Sequence, residues 1–247
     1  MPARRRERAG AGYCKPVTET KPGGTLARTH EGQPGLPRGR NGLPLRAVRA
    51  SQRERLLRSV IAAVSDIGYP AVTVADVVRR ARVSRVAFYA HFGDKQECFL
   101  AATAEGRELM IARIVSATRE LPPGTHDEEV LRGALRAYLV FLAREPAFAR
   151  VFYIHMPAAG PPAVDRLDAA QAQFADLTRR WHLRAREHHP QWPLVPAEAY
   201  LALAGATAEL VRSMVRADRT DALPELEETL VSVHLALLAA RPWPPES

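Results

Sequence analysis

Residues 73–95 read TVADVVRRARVSRVAFYAHFGDK. Thr73 is a good N-cap, and Asp76 three residues on completes a capping box. Val74, Val77, Val78 and Ala81 follow at i, i+3, i+4 and i+7, one apolar stripe on a two-turn helix. Arg82-Val83 breaks that period. Ser84 caps a second short helix reaching about Phe92, Gly93 stops it, and Asp94 with Glu97 starts a third. Two short helices joined by a tight turn and braced by a longer one on each side predict a helix-turn-helix. On the second helix Phe88 and Phe92 share the inward face, so Val86, Ala87 and Ala90 look outward with Tyr89. An outward face of methyl groups suits thymine edges in a major groove, and Arg85 can offer its fork to guanine. Tyr89, His91 and Lys95 stand where phosphates would run, with the amides following the caps Thr73 and Asp94 as further anion sites. The expected DNA-contacting set is Thr73, Ser84, Arg85, Val86, Ala87, Tyr89, His91 and Lys95. The bland alternative is a three-helix packing unit whose aromatics serve only the core.

In the series Thr73, Ala75-Asp76-Val77, Val83-Ser84-Arg85, Phe88-Tyr89, His91-Phe92 and Asp94-Lys95, the chain resembles the TetR/AcrR family of transcriptional regulators. The resemblance covers about residues 51–100 and includes the amphipathic helix closed by Gly68. Arg82 departs from it, standing where the family usually has Gly. A side chain there must accept positive φ or shift the turn. The resemblance implies an N-terminal reading head on a larger helical body, with the last two helices forming a dimer.

Charge is divided unevenly along the 247 residues. Residues 1–50 hold 11 Lys/Arg against 3 Asp/Glu, residues 51–100 hold 8 against 5, and the remainder is mildly acidic within a net +8. A polyanion partner at one end only is the implication. The first fifty residues also carry 8 of the 15 glycines and few large apolar groups, so a disordered basic arm is expected there. Arg38, Arg40, Arg46 and Arg49 are its candidates for phosphate or minor-groove contact. Two cysteines, Cys14 and Cys98, exclude a disulfide framework and give no metal spacing. No apolar run reaches a membrane span and no signal peptide is evident, so a reducing, cytoplasmic setting is expected.

Helical spacing continues to the end of the chain. Leu56, Leu57, Val60, Ile61, Val64 and Ile67 mark a first helix from Ser51, and Lys95 to about Thr118 reads as one long fourth helix. A fifth runs through Leu131 and Leu142, a short sixth starts at Pro146, and a seventh spans about Ala163 to Glu187. On the seventh, Gln171 and Thr178 interrupt an apolar stripe and need partners from the backbone or a ligand. With Met110, Tyr138, Phe141, Phe152, Phe174 and Trp181 they form the expected pocket for a small, mostly apolar effector. The same residues could equally be plain core. The eighth helix, about Ala197 to Arg216, and the ninth, about Pro224 to Ala240, are apolar on two sides, which calls for cover on both. Leu201, Ala204, Ala208, Val211, Val215, Val231, Leu235 and Leu238 are therefore expected at a four-helix homodimer interface.

His182, His188 and His189 lack a carboxylate or Cys to complete a metal set and read as surface histidines at a helix end. No phosphate-cradling loop, nucleophile elbow or zinc-protease motif occurs, so neither cofactor nor catalytic set is expected. The chain is thus expected to be all-α, about nine helices: arm 1–50, helix-turn-helix head 51–98, ligand-binding and dimerisation body 99–241, tail 242–247. The expected activity is that of a ligand-responsive, homodimeric repressor on a pseudo-palindromic operator. The alternative is a helical interaction module for a protein or acyl chain with an idle head.

Overall fold

The computed structural model describes residues 24–31 and 44–239. The rest of the basic arm, with Cys14, Arg38 and Arg40, and the tail 242–247 lie outside the described residues. All regular structure within them is helical: α1 (Leu45–Ile67), α2 (Val74–Ala81), α3 (Arg85–Tyr89), α4 (Lys95–Arg119), α5 (Asp127–Arg144), α6 (Pro146–Arg150), α7 (Pro161–His188), α8 (Ala197–Arg216) and α9 (Glu227–Leu238). Between α6 and α7 the chain widens into a π turn, Val151–His155, then tightens into a 3-10 turn, Met156–Ala159. A second 3-10 segment, Thr220–Leu226, leads into α9.

Local signals fix the ends of the short helices. Thr73 and Asp76 form the full capping box, Ser84 Oγ accepts from the Ala87 amide at 3.1 Å, and Asp94 Oδ1 accepts from the Glu97 amide at 2.7 Å. The Thr73 hydroxyl and amide, both donating to Asp76, hold that carboxyl below the ordinary range. Arg82 takes φ 55° and ψ 43°, the left-handed conformation, to turn from α2 into α3. α1 starts six residues ahead of the expected Ser51, immediately after Pro44, because Leu45–Ala50 holds no Gly or Pro to stop it. Arg46 and Arg49 are therefore helical.

Head and body share one apolar core. The boundary expected at residue 98 falls inside α4, whose buried side chains continue from Cys98 and Phe99 through Met110 to Ile114. α1 packs on α2 and on α4, and also reaches α6 and the π turn. Gly106 makes the closest passage: a Cβ there would lie 2.2 Å from the Phe148 ring, so Gly lets the aromatic sit on the α4 backbone.

The arm does not conform to the expectation of disorder throughout. Residues 24–31 lie on the protein as a strap, with Leu26 and Ala27 buried. The buried Glu145 carboxylate, between α5 and α6, accepts from Thr25 N (2.8 Å), Thr25 Oγ1 (2.7 Å) and Leu26 N (2.9 Å). Arg58 of α1 donates to the Thr25 carbonyl, the His30 amide donates to Arg80 O at 2.7 Å, and Glu31 pairs with Arg79. A short segment with one Leu shows no core-forming pattern by itself; these partners lie from 33 to 120 residues away.

Candidate nucleic-acid interface and internal cavity

α3 presents the surface the sequence implies. Phe88 is fully buried, its ring against the Tyr89 edge at 5.3 Å and Phe92 at 5.9 Å. Outward stand Arg85, Ala90, Val86 at 82% exposure and Tyr89 at 51%, with Ala87 half-buried beside them. Val86 is the most exposed of the large apolar side chains among the described residues. This is a surface shaped for cover by apolar groups. Thr73 and Ser84 spend their side chains on caps, leaving the first-turn amides of their helices as the groups free to meet an anion. His91 is half-buried with Nε2 unpartnered; burial, then Arg49 and Arg53, hold its pKa below the ordinary value. Of those two arginines on α1, Arg49 was expected in the basic arm as a phosphate candidate, and the structure sets it with Arg53 near His91.

Lys95 departs from expectation. Its ammonium donates to the carbonyls of Tyr69 (2.9 Å) and Val72 (2.8 Å) and lies 4.2 Å from the centre of the Tyr69 ring. Desolvation lowers its pKa. Three donors are all an ammonium has, and two are committed to holding the α1–α2 loop on α4. Lys95 is a clamp of the head rather than a free phosphate ligand.

Within the body lies a cavity of about 840 Å³, walled by the C-terminal turns of α4, by α5, α7 and α8, by the π turn, and by His234 of α9. Six of the eight expected pocket residues meet there: Tyr138, Phe152, Gln171, Phe174, Thr178 and Trp181. Met110 and Phe141 do not. Met110 is fully buried beneath α4, and Phe141 turns its edge to Phe148 at 6.1 Å in the core behind the cavity. Tyr153 was missed for a local reason. It lies on the π turn beside Phe152, and both residues stand in the wall. The two tyrosine hydroxyls, Tyr138 and Tyr153, lie 2.6 Å apart. Burial raises the pKa of both, Tyr153 to about 12, so they stay protonated. At the rim stand the exposed guanidinium groups of Arg119, Arg180 and Arg184.

The expected dimer surface needs correction. Ala204, Val211, Val215, Val231 and Leu238 are buried inside the single chain, while Ala204 and Ala208 face the cavity and Leu235 is half-buried on the core. Both apolar stripes of α8 are consumed internally, by α7 on one side and by the cavity on the other. What remains outward is a third face: Leu201, Ala202, Ala206 and Ser213 on α8, with Ser232, Val233 and Ala236 on α9. Of the expected set only Leu201 stays fully on it. His182 likewise is no surface group. It is buried, Nε2 donating to Leu238 O at 2.9 Å and Nδ1 accepting from Tyr200 OH at 2.8 Å, so it ties α7 to α8 and α9. His188 and His189 both approach Asp127, at 3.0 and 3.3 Å.

With this geometry in hand, the comparisons are specific. Residues 61–102 match the sequence profile of the bacterial regulatory proteins, tetR family. No curated protein matches the chain. Among solved structures, the fatty acid degradation regulator FadR from Bacillus halodurans superposes at TM-score 0.67 and 17% identity, over 77% of this chain and 96% of that one. FadR from Bacillus subtilis, solved with stearoyl-CoA, gives 0.66 at 14%, over 74% and 98%. A TetR-like transcriptional regulator from Rhodococcus sp. RHA1 gives 0.58 at 25%, over 78% and 98%. The similarity to the two FadR proteins is one of fold. Among the described residues no helix is long and apolar enough to cross a membrane.

Proposed function

Since the chain belongs to the tetR family of bacterial regulatory proteins and has the fold of a DNA-binding regulator, we propose that it is a homodimeric repressor whose operator affinity falls when an apolar effector fills the body cavity. One observation carries the reading. α4 is a single helix of 25 residues, about 37 Å long, capped by Asp94 at the reading head and ending in the cavity wall at Ile114–Arg119. A ligand that moves its last turns moves its first. In the dimer, two copies of α3 enter successive major grooves about one helical turn apart, and the outward face of Ala202, Ala206, Ser232 and Val233 packs on its twin. Small side chains there allow close helix approach. Coupling requires only that the effector prefer the dimer state whose heads are wrongly spaced. The stearoyl-CoA of the similar FadR structure supports a long acyl compound as the effector class, and the apolar cavity walls agree.

Selection of bound sequences from random duplexes by the purified protein tests the first half. A pseudo-palindrome with half-sites one turn apart is expected, and recovery of no preferred sequence would refute it. Titration of stearoyl-CoA into the protein–duplex complex tests the second half. Release of the duplex is expected, and unchanged affinity under saturating acyl compound would refute the coupling.

A further inference from the structure

Besides charged residues such as Arg212 and Glu209, the cavity wall holds neutral polar groups, and the donor and acceptor states of several follow from their neighbours. Tyr138 and Tyr153 together hold two hydroxyl protons. Their mutual hydrogen bond of 2.6 Å uses one, and among the described residues no acceptor takes the other. The pair therefore offers one donor to the cavity. His234 Nδ1 lies 2.7 Å from Leu230 O, and a carbonyl can only accept, so Nδ1 carries the proton. Burial lowers the pKa of His234 and keeps it neutral, which leaves Nε2 as a bare lone pair on a ring in the cavity wall. Gln171, also in the wall, makes no hydrogen bond among the described residues and adds an amide that both donates and accepts. Among the described residues no lysine lines the cavity; Arg119, Arg180 and Arg184 stand exposed at its edge, and the half-buried Arg212 of the wall is paired with Glu209.

Resting on the reading that this cavity takes the effector, we propose that its ligand carries, within its apolar body, a neutral group that accepts from the Tyr138–Tyr153 pair and donates to His234 Nε2, as a secondary amide does. An ester satisfies the tyrosines but leaves Nε2 unpaired. A carboxylate, like an ester, has no proton to offer Nε2, and the one half-buried cation of the wall, Arg212, is already paired with Glu209. A ligand with a charged end places that end at the arginine rim.

The test compares three probes of equal chain length: N-methyldodecanamide, methyl dodecanoate and dodecanoic acid. Binding to the full chain is followed by calorimetry and by the fluorescence of Trp181, which stands in the cavity wall. The amide is expected to bind about tenfold more tightly than the ester, the weight of one satisfied hydrogen bond in a dry site. In His234→Leu that ratio falls to about one, and in Tyr153→Phe amide and ester weaken together. The ratio is taken within each variant, so a general loosening of the body does not mimic the effect. Ester or carboxylate binding as tightly as the amide overturns this inference and leaves the cavity reading intact. Failure of all three probes to bind overturns both.

Discussion

Substituting Glu145 by Ala in the full chain and in a chain starting at residue 32 gives a thermodynamic cycle on the strap. In the full chain the carboxylate receives three hydrogen bonds, two of them from backbone amides that have no other partner. Hydrogen bonds to an ionised acceptor contribute about 1.5–3 kcal/mol each, and their simple sum exceeds what the strap can lose. The ceiling is the docking free energy of residues 24–31 themselves, because the strap can lift and let water solvate its amides. The loss expected for Glu145→Ala is about 2 kcal/mol, the middle of the range for leaving buried hydrogen-bonding groups unpaired, read from urea unfolding. In the chain lacking residues 1–31 the same carboxylate has lost its strap donors and meets water instead, and removing it should cost little. A coupling of about 2 kcal/mol is the signature. Gly24→Ala should reproduce the loss, since its Cβ would meet Glu145 Oε2 at 2.2 Å and Arg144 O at 2.3 Å. Equal losses for Glu145→Ala in the two backgrounds would show that the carboxylate serves the α5–α6 junction and not the strap.

Arg82→Gly removes the left-handed strain between α2 and α3 and should raise stability by about 1 kcal/mol in thermal unfolding, with α3 unchanged; a loss would mean the Arg82 side chain holds the turn. Lys95→Met strips two donors from the Tyr69 and Val72 carbonyls and should cost about 1–3 kcal/mol of stability, while the salt dependence of duplex binding stays the same. A slope flatter by about 0.9 would instead assign Lys95 to a phosphate. Arg85→Ala should weaken the selected site by about 1–3 kcal/mol and relax choice at one base position; unchanged preference at every position would remove Arg85 from base reading. Ala206→Arg, on the outward face of α8, should turn a dimer into a monomer in sedimentation, and a dimer that survives it would place the contact elsewhere.

The head was legible in the sequence because its signals are local. Thr73 and Asp76, Ser84 and Ala87, and Asp94 and Glu97 meet across one helical turn, so spacing alone dictates where α2, α3 and α4 begin. The 100° step also fixed which side of α3 holds Phe88 and which holds Val86. A stripe shows that a face is apolar; it does not show what covers it. Val211 and Val231 looked like an interface and proved to be internal, because α7 and the body core had already claimed them. Lys95 was placed correctly on its helix, yet its partners are carbonyls of a loop more than twenty residues upstream. Tyr153 stands in the cavity wall on a π turn, whose period differs from the one used to read it. Residues 24–31 have no pattern of their own and are held by Glu145, Arg58 and Arg80. What depended on neighbours within one turn was written in order along the chain. Which nonlocal surface each side chain meets was decided only by the packing of all the helices together, since close packing of an interior is a property of the whole set.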